Sequence, residues 1–432
     1  MYQTNKSFVN VYTYVMFTPG QFSTFSLQDQ RVLRILASAF NAVDSYAAVK
    51  AYLSENPLPK NKRTFAFGLG KAAIKMTQAL ADSIPLTDAL IVTKHASPLT
   101  FEPATILEGN HPIPGRDSLA AGQAVLKFIS QLTSDDLLIC LISGGGSALM
   151  TDPILPLEDL QAITSALLAS GARIDEINTI RRHLDLLKGG GLAQGTKAQI
   201  VSLILSDVVG DPIEAIASGP TAPDSSSKED ARKILDTYKI PVNDKNFKET
   251  LKENDPVFRR VQNHIIGSNI IALQAAKKQA QMEGFEVEII NDQLQGEARE
   301  IGKSLALLLK EEVKKRKRPF CLLAGGETTV TMKGMGKGGR NQEVALGAID
   351  TLSELQNILL ISLATDGEDG PTDAAGAVAT SESAQRAKSL GLNISDSLSR
   401  NDAYVFFNQL GDLIKTEPSG TNVNDMMICL AI

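Results

Sequence analysis

The chain has no tryptophan, three cysteines and only 5% aromatic residues among its 432. The cysteines, Cys140, Cys321 and Cys429, each sit in an apolar run: LLICLIS, PFCLLAGG and MMICLAI. None is near another in sequence, so no Cys-ligated metal site is implied, and an odd count does not make a disulfide framework. Buried free thiols in a reducing, cytoplasmic compartment are expected. No apolar stretch reaches the roughly 18 residues of a membrane span, so no membrane partner is expected. Basic excess is missing too. The net charge is −6, with 43 Lys and Arg against 49 Asp and Glu, which argues against a nucleic-acid partner. Residues 1–26 contain no Asp or Glu, and Lys6 is their one basic residue. They lack the basic start of a secretory signal and the several arginines of a transit peptide, and are expected to be a poorly ordered extension. Internal repeats and low-complexity segments are also absent.

What the sequence does contain is an alternation of short apolar runs with segments of helical period. Leu27–Glu55 predicts one helix, started by Ser26 and ended by Pro57 and Pro59. Strands are predicted at Thr64–Gly68, Ala89–Thr93, Ala104–Glu108, Leu137–Ser143, Ile200–Ser206 and His264–Ser268, with helices between them, including Lys71–Leu80 and Ile174–Leu187. The runs are continuous rather than alternating, as in strands buried on both faces of a parallel sheet. Strand–helix alternation then implies a doubly wound, Rossmann-like α/β sheet whose ligands gather at the carboxyl ends of strands. Asn291–Glu297 reads as a connector. Beyond it a second, mixed sheet is expected in a smaller C-terminal domain, giving domains of 27–295 and 296–432.

Several costly turns follow these strands. Gly68-Leu69-Gly70-Lys71-Ala72-Ala73 fits the G-x-G-x-x-A dinucleotide fingerprint, which alone is weak. A nicotinamide site also needs a ribose-binding acid at the end of the next strand, and there the sequence reads Thr93-Lys94-His95. What remains is a glycine turn leading into a lysine-bearing helix N-terminus, an anion site built on Gly70 and Lys71. Solvated Lys71 beside a merely tight turn is the plainer alternative. In Ser143-Gly144-Gly145-Gly146-Ser147 the glycines let amides crowd a phosphate, and both hydroxyls add donors. Ser147 lacks the second glycine of a nucleophile elbow, and neither His111 nor His183 is paired to it in sequence. In NTIRRHLDLLKGGG, helical spacing puts Arg181, Asp185 and Lys188 on one face and turns Arg182 elsewhere. Asp207 follows a buried strand, where a carboxylate suits magnesium or a substrate hydroxyl.

The C-terminal half repeats the theme. Glu327 follows a Gly-Gly pair. Arg340 and Asn341 close the loop KGMGKGGRN, which is expected to be mobile until a ligand orders it, with Arg340 able to grip a carboxylate or phosphate by two bonds. Asp366, Glu368 and Asp369 cluster after another buried strand, as a metal or general-base site or, more plainly, as a polar turn.

The motifs GLGKAA, ISGGGSAL, NTIRRHL, LSDVVGDP, GGETTV, GGRNQEVAL and ATDGEDGPTDAAGA resemble, in order, the glycerate 2-kinase family, whose C-terminal part is called the MOFRL domain. The sequence departs from that pattern where Arg182 replaces an expected Lys and Asp185 an expected Ser. The resemblance implies two α/β domains enclosing a cleft, with transfer of the ATP γ-phosphoryl group to D-glycerate in the presence of Mg2+. On that reading Lys71, Arg340, Asp207 and Asp366 are catalytic. Gly70, Ser143, Gly144, Gly145, Gly146, Ser147, Arg182, Lys188, Glu327 and Asn341 bind substrate or nucleotide, and Asp207, Asp366 and Glu368 hold the metal. Glycerate and ATP are the expected partners, and a homodimer is an allowed assembly. The rival chemistry is an NAD(P)-dependent hydroxypyruvate reductase, resting on the glycine fingerprint. A sugar-acid binder without catalysis is a third reading, although it would have no use for a metal-holding set of acids.

Overall fold

A computed structural model describes residues 16–241 and 247–432. Six strands form the first sheet: β1 (Arg63–Leu69), β2 (Asp88–Thr93), β3 (Ala104–Glu108), β4 (Asp136–Ile142), β5 (Gln199–Leu205) and β6 (Val261–Gly267). Every pairing is parallel and the order is β3-β2-β1-β4-β5-β6. This is the order of the dinucleotide-binding fold, in which the chain reverses its winding between β1 and β4 and leaves a crevice at their carboxyl ends. All six strands were legible in the sequence. β4 is buried at every position, and helices cover both faces of the sheet's centre.

The second sheet has the order β11-β10-β9-β12-β8-β7, from β7 (Glu286–Glu297), β8 (Phe320–Thr329), β9 (Ile358–Ala364), β10 (Gly376–Thr380), β11 (Leu413–Ile414) and β12 (Asp425–Ala431). Only β7 and β8 run parallel, so the sheet is mixed. The expected connector 291–297 is the second half of β7. As an edge strand β7 has one side unpaired and polar, so NDQLQGE lacks the apolar run that reveals a central strand. The expected domain boundary at 295/296 therefore falls inside a strand.

The division is not linear at the start of the chain either. The predicted helix Leu27–Glu55 is two helices, Gln30–Ala42 and Ser45–Glu55, bent by 69°. Asp44 breaks it, because its side chain caps the N–H groups of Tyr46 and Ala47. The first helix packs with Asn269–Met282 on the second sheet, and the second packs on the first sheet. Phe17 and Phe22 lie edge-on to Phe40 at 5.2 and 5.0 Å, while Thr24 and Ser26 bond Asp412. The expectation of a poorly ordered extension to residue 26 is thus corrected from Phe17 onward: three phenylalanines bury one another there. Residues 1–15 lie outside the described residues. All three cysteines are buried and free, and among the described residues no single helix is long and apolar enough to cross a membrane.

Candidate active site

The β1 and β4 turns meet at the crevice. Gly70 has φ +112°, and a Cβ there would lie 2.3 Å from the Ser143 carbonyl oxygen. Only glycine lets the two turns touch. Ser143 then ties them together: its N–H donates to the Leu69 carbonyl at 2.8 Å, and its Oγ accepts from the Ala72 N–H at 3.0 Å. Its hydroxyl was expected to bind a ligand, but it is buried and occupied in this tie. The Lys71 N–H donates to the Gly144 carbonyl at 3.0 Å, which leaves the lysine side chain exposed at the mouth of the crevice.

Gly144 is constrained by Asp207. A Cβ at 144 would sit 2.0 Å from Asp207 Oδ2, so the carboxylate seats directly on the glycine backbone. Gly145, with φ +85°, turns the chain into the short helix Gly146–Leu149. Among the described residues no group accepts from the N–H of Gly144 or Gly145. Ser147 Oγ lies 2.7 Å from Ser218 Oγ. Burial raises the proton affinity of Asp207; Lys71 acts against that rise and Glu327 adds to it.

Across the crevice, Asp366 and Glu368 follow β9. Burial raises the Asp366 pKa, while Arg340 and Lys71 pull it down. Lys71, Ser143, Gly144, Asp207, Asp366 and Glu368 line one cleft of about 170 Å³ between the two sheets. It joins a cavity of about 480 Å³ that shares Asp207 and is lined by His111, Ser147, Asn178 and Arg181. On the other side it joins one of about 860 Å³ that shares Asp366 and Glu368 and is lined by Glu327 and Arg340. Among the described residues no three His, Cys, Asp or Glu side chains converge into a ready-made metal cage. The three acids are instead spread along the cleft, in keeping with magnesium's habit of using one or two carboxylates with water and phosphate oxygens.

Several expected ligand residues are spent elsewhere. Arg182 is buried and pairs with Asp224 at 2.9 Å. Lys188 is 2% exposed, with Nζ 2.5 Å from Asp185 and 2.9 Å from the Met150 carbonyl. The predicted helix face does not exist, because the helix Ile174–His183 stops before Asp185. The Asp185 carboxylate accepts from Thr151 and from the Leu187 N–H, turning the chain away. Of that set only Arg181 faces the cleft.

Arg340 is likewise engaged. Its Nε and Nη2 donate to Asp425 at 2.6 and 3.0 Å, and its Nη1 donates to Glu327 at 2.7 Å. The two-bond grip predicted for a ligand is made to a buried carboxylate of β12. Asn341 is also consumed, donating to Asp425 at 2.9 Å and accepting from Ser362 at 2.7 Å. The glycine loop before Arg340 is tied down rather than left mobile. Asn401 accepts from the N–H groups of Lys333 and Gly334, and Asp402 from that of Lys337. Arg340→Lys keeps the charge and loses the fork, so we expect a stability loss of about 2 kcal/mol and a lower Tm. A normal Tm with depressed turnover would mean that Arg340 acts on ligand rather than on Asp425.

Sequence reasoning gave no separate role to Asp369. It is 1% exposed and accepts from the N–H groups of Asn341 and Gln342, at the start of the helix Arg340–Leu352. Burial pushes its pKa up to about 7; the two N–H bonds oppose the rise and nearby Asp425 adds to it. Between pH 4 and 7 the unfolded chain has released this proton and the folded chain has not, so this group's contribution to stability falls as pH rises. Asp369→Asn removes that slope. The Tm of the variant minus that of wild type should therefore climb from pH 4 to pH 7, whatever its offset, and a flat difference in thermal scans would contradict the assignment.

The end of β2 itself carries no acid for a dinucleotide ribose: the strand stops at Thr93 and is followed by exposed Lys94 and His95. Comparison with known proteins finds mainly glycerate kinases, beside a putative hydroxypyruvate reductase of Agrobacterium vitis that is 37% identical over 414 residues, 93% of this chain and 94% of that one. The model of a domain of unknown function, DUF4147, matches residues 31–252, and that of the MOFRL family matches residues 320–425. D-glycerate 2-kinase of Thermotoga maritima is 40% identical over 409 residues, 93% of this chain and 97% of that one. Glycerate 2-kinase of Pyrococcus horikoshii is 38% identical over 427 residues, 92% and 96% of the two chains. A crystal structure of glycerate kinase from Thermotoga maritima matches with a TM-score of 0.88 at 39% identity, covering 93% of this chain and 99% of that one.

Proposed function

The chain belongs to the glycerate 2-kinase family, and on that premise we propose that it transfers the γ-phosphoryl group of ATP to the 2-hydroxyl of D-glycerate in the cleft between its two sheets. The observation that carries this reading is the meeting of Lys71, on the β1 turn, with carboxylates from both domains, Asp207 and Asp366. Phosphoryl transfer asks the protein mainly for positioning and for charge of the right sign along the transferring group. Lys71 supplies the mobile cation. The free N–H groups of Gly144 and Gly145 supply fixed donors beside it. Asp207 and Asp366, with Glu368 next to them, would hold Mg2+, which neutralises triphosphate charge when bound. The two acids stand on different sheets, so closing the cleft would complete the site and exclude water that would otherwise hydrolyse ATP.

The test is ADP formation that depends on D-glycerate and stops on chelation of divalent cations, run beside NADH oxidation with hydroxypyruvate. Glycerate-dependent ADP release without nicotinamide turnover is expected. Nicotinamide turnover without ATP consumption would replace the kinase by a reductase, and binding without either would leave a sugar-acid binder.

A further inference from the structure

Arg181, 8% exposed, is a buried cation without an ion-pair partner among the described residues, with Asp185 acting on it only from beyond contact distance. Its neighbours in the motif differ: Arg182 is paired with Asp224, and Lys188 with Asp185. Among the described residues its guanidinium makes one long hydrogen bond, 3.4 Å from Nη1 to Ser147 Oγ, and its buried Nε meets no acceptor. One turn earlier on the same helix, Asn178 is 9% exposed and its Oδ1 is also buried with no donor. Both side chains line the cavity of about 480 Å³ that opens onto Asp207. Burying an unpaired charge and an unpaired acceptor is costly unless something from outside completes them.

We propose that Arg181, Asn178 and Ser147 form a second oxyanion subsite, which grips the carboxylate of the hydroxy-acid substrate and sets specificity for an acid over a neutral alcohol. The proposal rests on the kinase reading and names the residues that select its acceptor. The planar guanidinium matches a carboxylate with two parallel bonds. An acceptor one turn away matches a hydroxyl on the same small molecule. Ala148, Ile177 and Ala217 add apolar wall that suits a short carbon skeleton, while Gln295 and Glu327, the latter paired with Arg340, also line the cavity. Asp207 lines both this cavity and the Lys71 cleft, so a bound acid would have its carboxylate at one end and the reacting hydroxyl toward Lys71.

Isothermal titration of wild type and Arg181→Lys with D-glycerate alone reads the subsite directly, and steady-state kinetics read the Michaelis constants for D-glycerate and ATP separately. Arg181→Lys should weaken glycerate binding and raise its KM about ten-fold or more, with the KM for ATP within about two-fold of wild type. Arg181→Met should narrow the preference for D-glycerate over glycerol. It should also keep a Tm no lower than wild type, because it removes an unpaired buried charge. A rise in the KM for ATP with glycerate unaffected would mean that the pocket takes a nucleotide phosphate and would overturn the carboxylate assignment. Unchanged glycerate binding and KM would overturn the subsite while glycerate turnover by wild type left the kinase reading standing. A clear fall in Tm of Arg181→Met would make Arg181 structural and also overturn the subsite. Wild type that binds glycerate through Arg181 but never phosphorylates it would do the reverse.

Discussion

Lys71→Ala should lower kcat with ATP and D-glycerate by about a thousand-fold, with Tm unchanged. The fold does not need this side chain. Lys71 is exposed, and among the described residues no carboxylate forms an ion pair with it. The turn is held by backbone groups, the Lys71 N–H to Gly144 and the Ala72 N–H to Ser143 Oγ, and these survive the substitution. What is lost is a positive charge that acts on both Asp207 and Asp366. Once the cleft closes over substrate and excludes water, such a charge, aimed where negative charge moves during transfer, contributes far more than it would in water. Arginine at 71 should rescue little, since a planar fork does not reproduce a compact ammonium. Near-normal turnover in Lys71→Ala would remove Lys71 from the chemistry.

Asp207→Asn should be comparably damaging, by about a hundred-fold or more, and should raise the magnesium concentration needed for half-maximal rate. The amide keeps the shape of the carboxylate, so the seat on Gly144 is preserved and only the charge goes. Burial already raises the carboxylate's proton affinity, with Lys71 in opposition, so a divalent cation is the natural completion of the site. The same raised pKa means that activity carried by the ionised form falls as pH is lowered toward it. Gly144→Ala attacks the seat from the other side. Its Cβ would lie 2.0 Å from Asp207 Oδ2, so it should imitate Asp207→Asn without touching any ionisable group. Activity in Asp207→Asn with an unchanged magnesium requirement would show that the metal is held elsewhere.

The sequence was legible where physics leaves a one-dimensional mark. Strands β1, β2, β4 and β5 are buried on both faces, and their unbroken apolar runs disclosed the parallel sheet. The glycines at 70 and 144–146 disclosed the turns at its carboxyl edge, because close backbone approach leaves no other residue type. β10, the short run GAVAT with one large apolar residue, and the polar second half of β7 leave no such mark. The same limit governs the site. A free cation and a spent one look alike in a motif. Arg181 and Arg182 are adjacent, yet one faces the cleft and the other meets Asp224, more than forty residues on. Arg340 was read as a ligand grip because its partner, Asp425, arrives only with the last strand. Partners distant in sequence decide which charges are left for a ligand, and that information exists only in the fold.

The account is tested most directly by phosphorus NMR of the purified protein incubated with ATP, magnesium and D-glycerate. It predicts that the γ-phosphate resonance is replaced by those of ADP and 2-phosphoglycerate, in equal amounts, and that neither product forms without D-glycerate. An unchanged ATP spectrum under those conditions, or phosphate released as free orthophosphate in place of a phosphoglycerate, would contradict it.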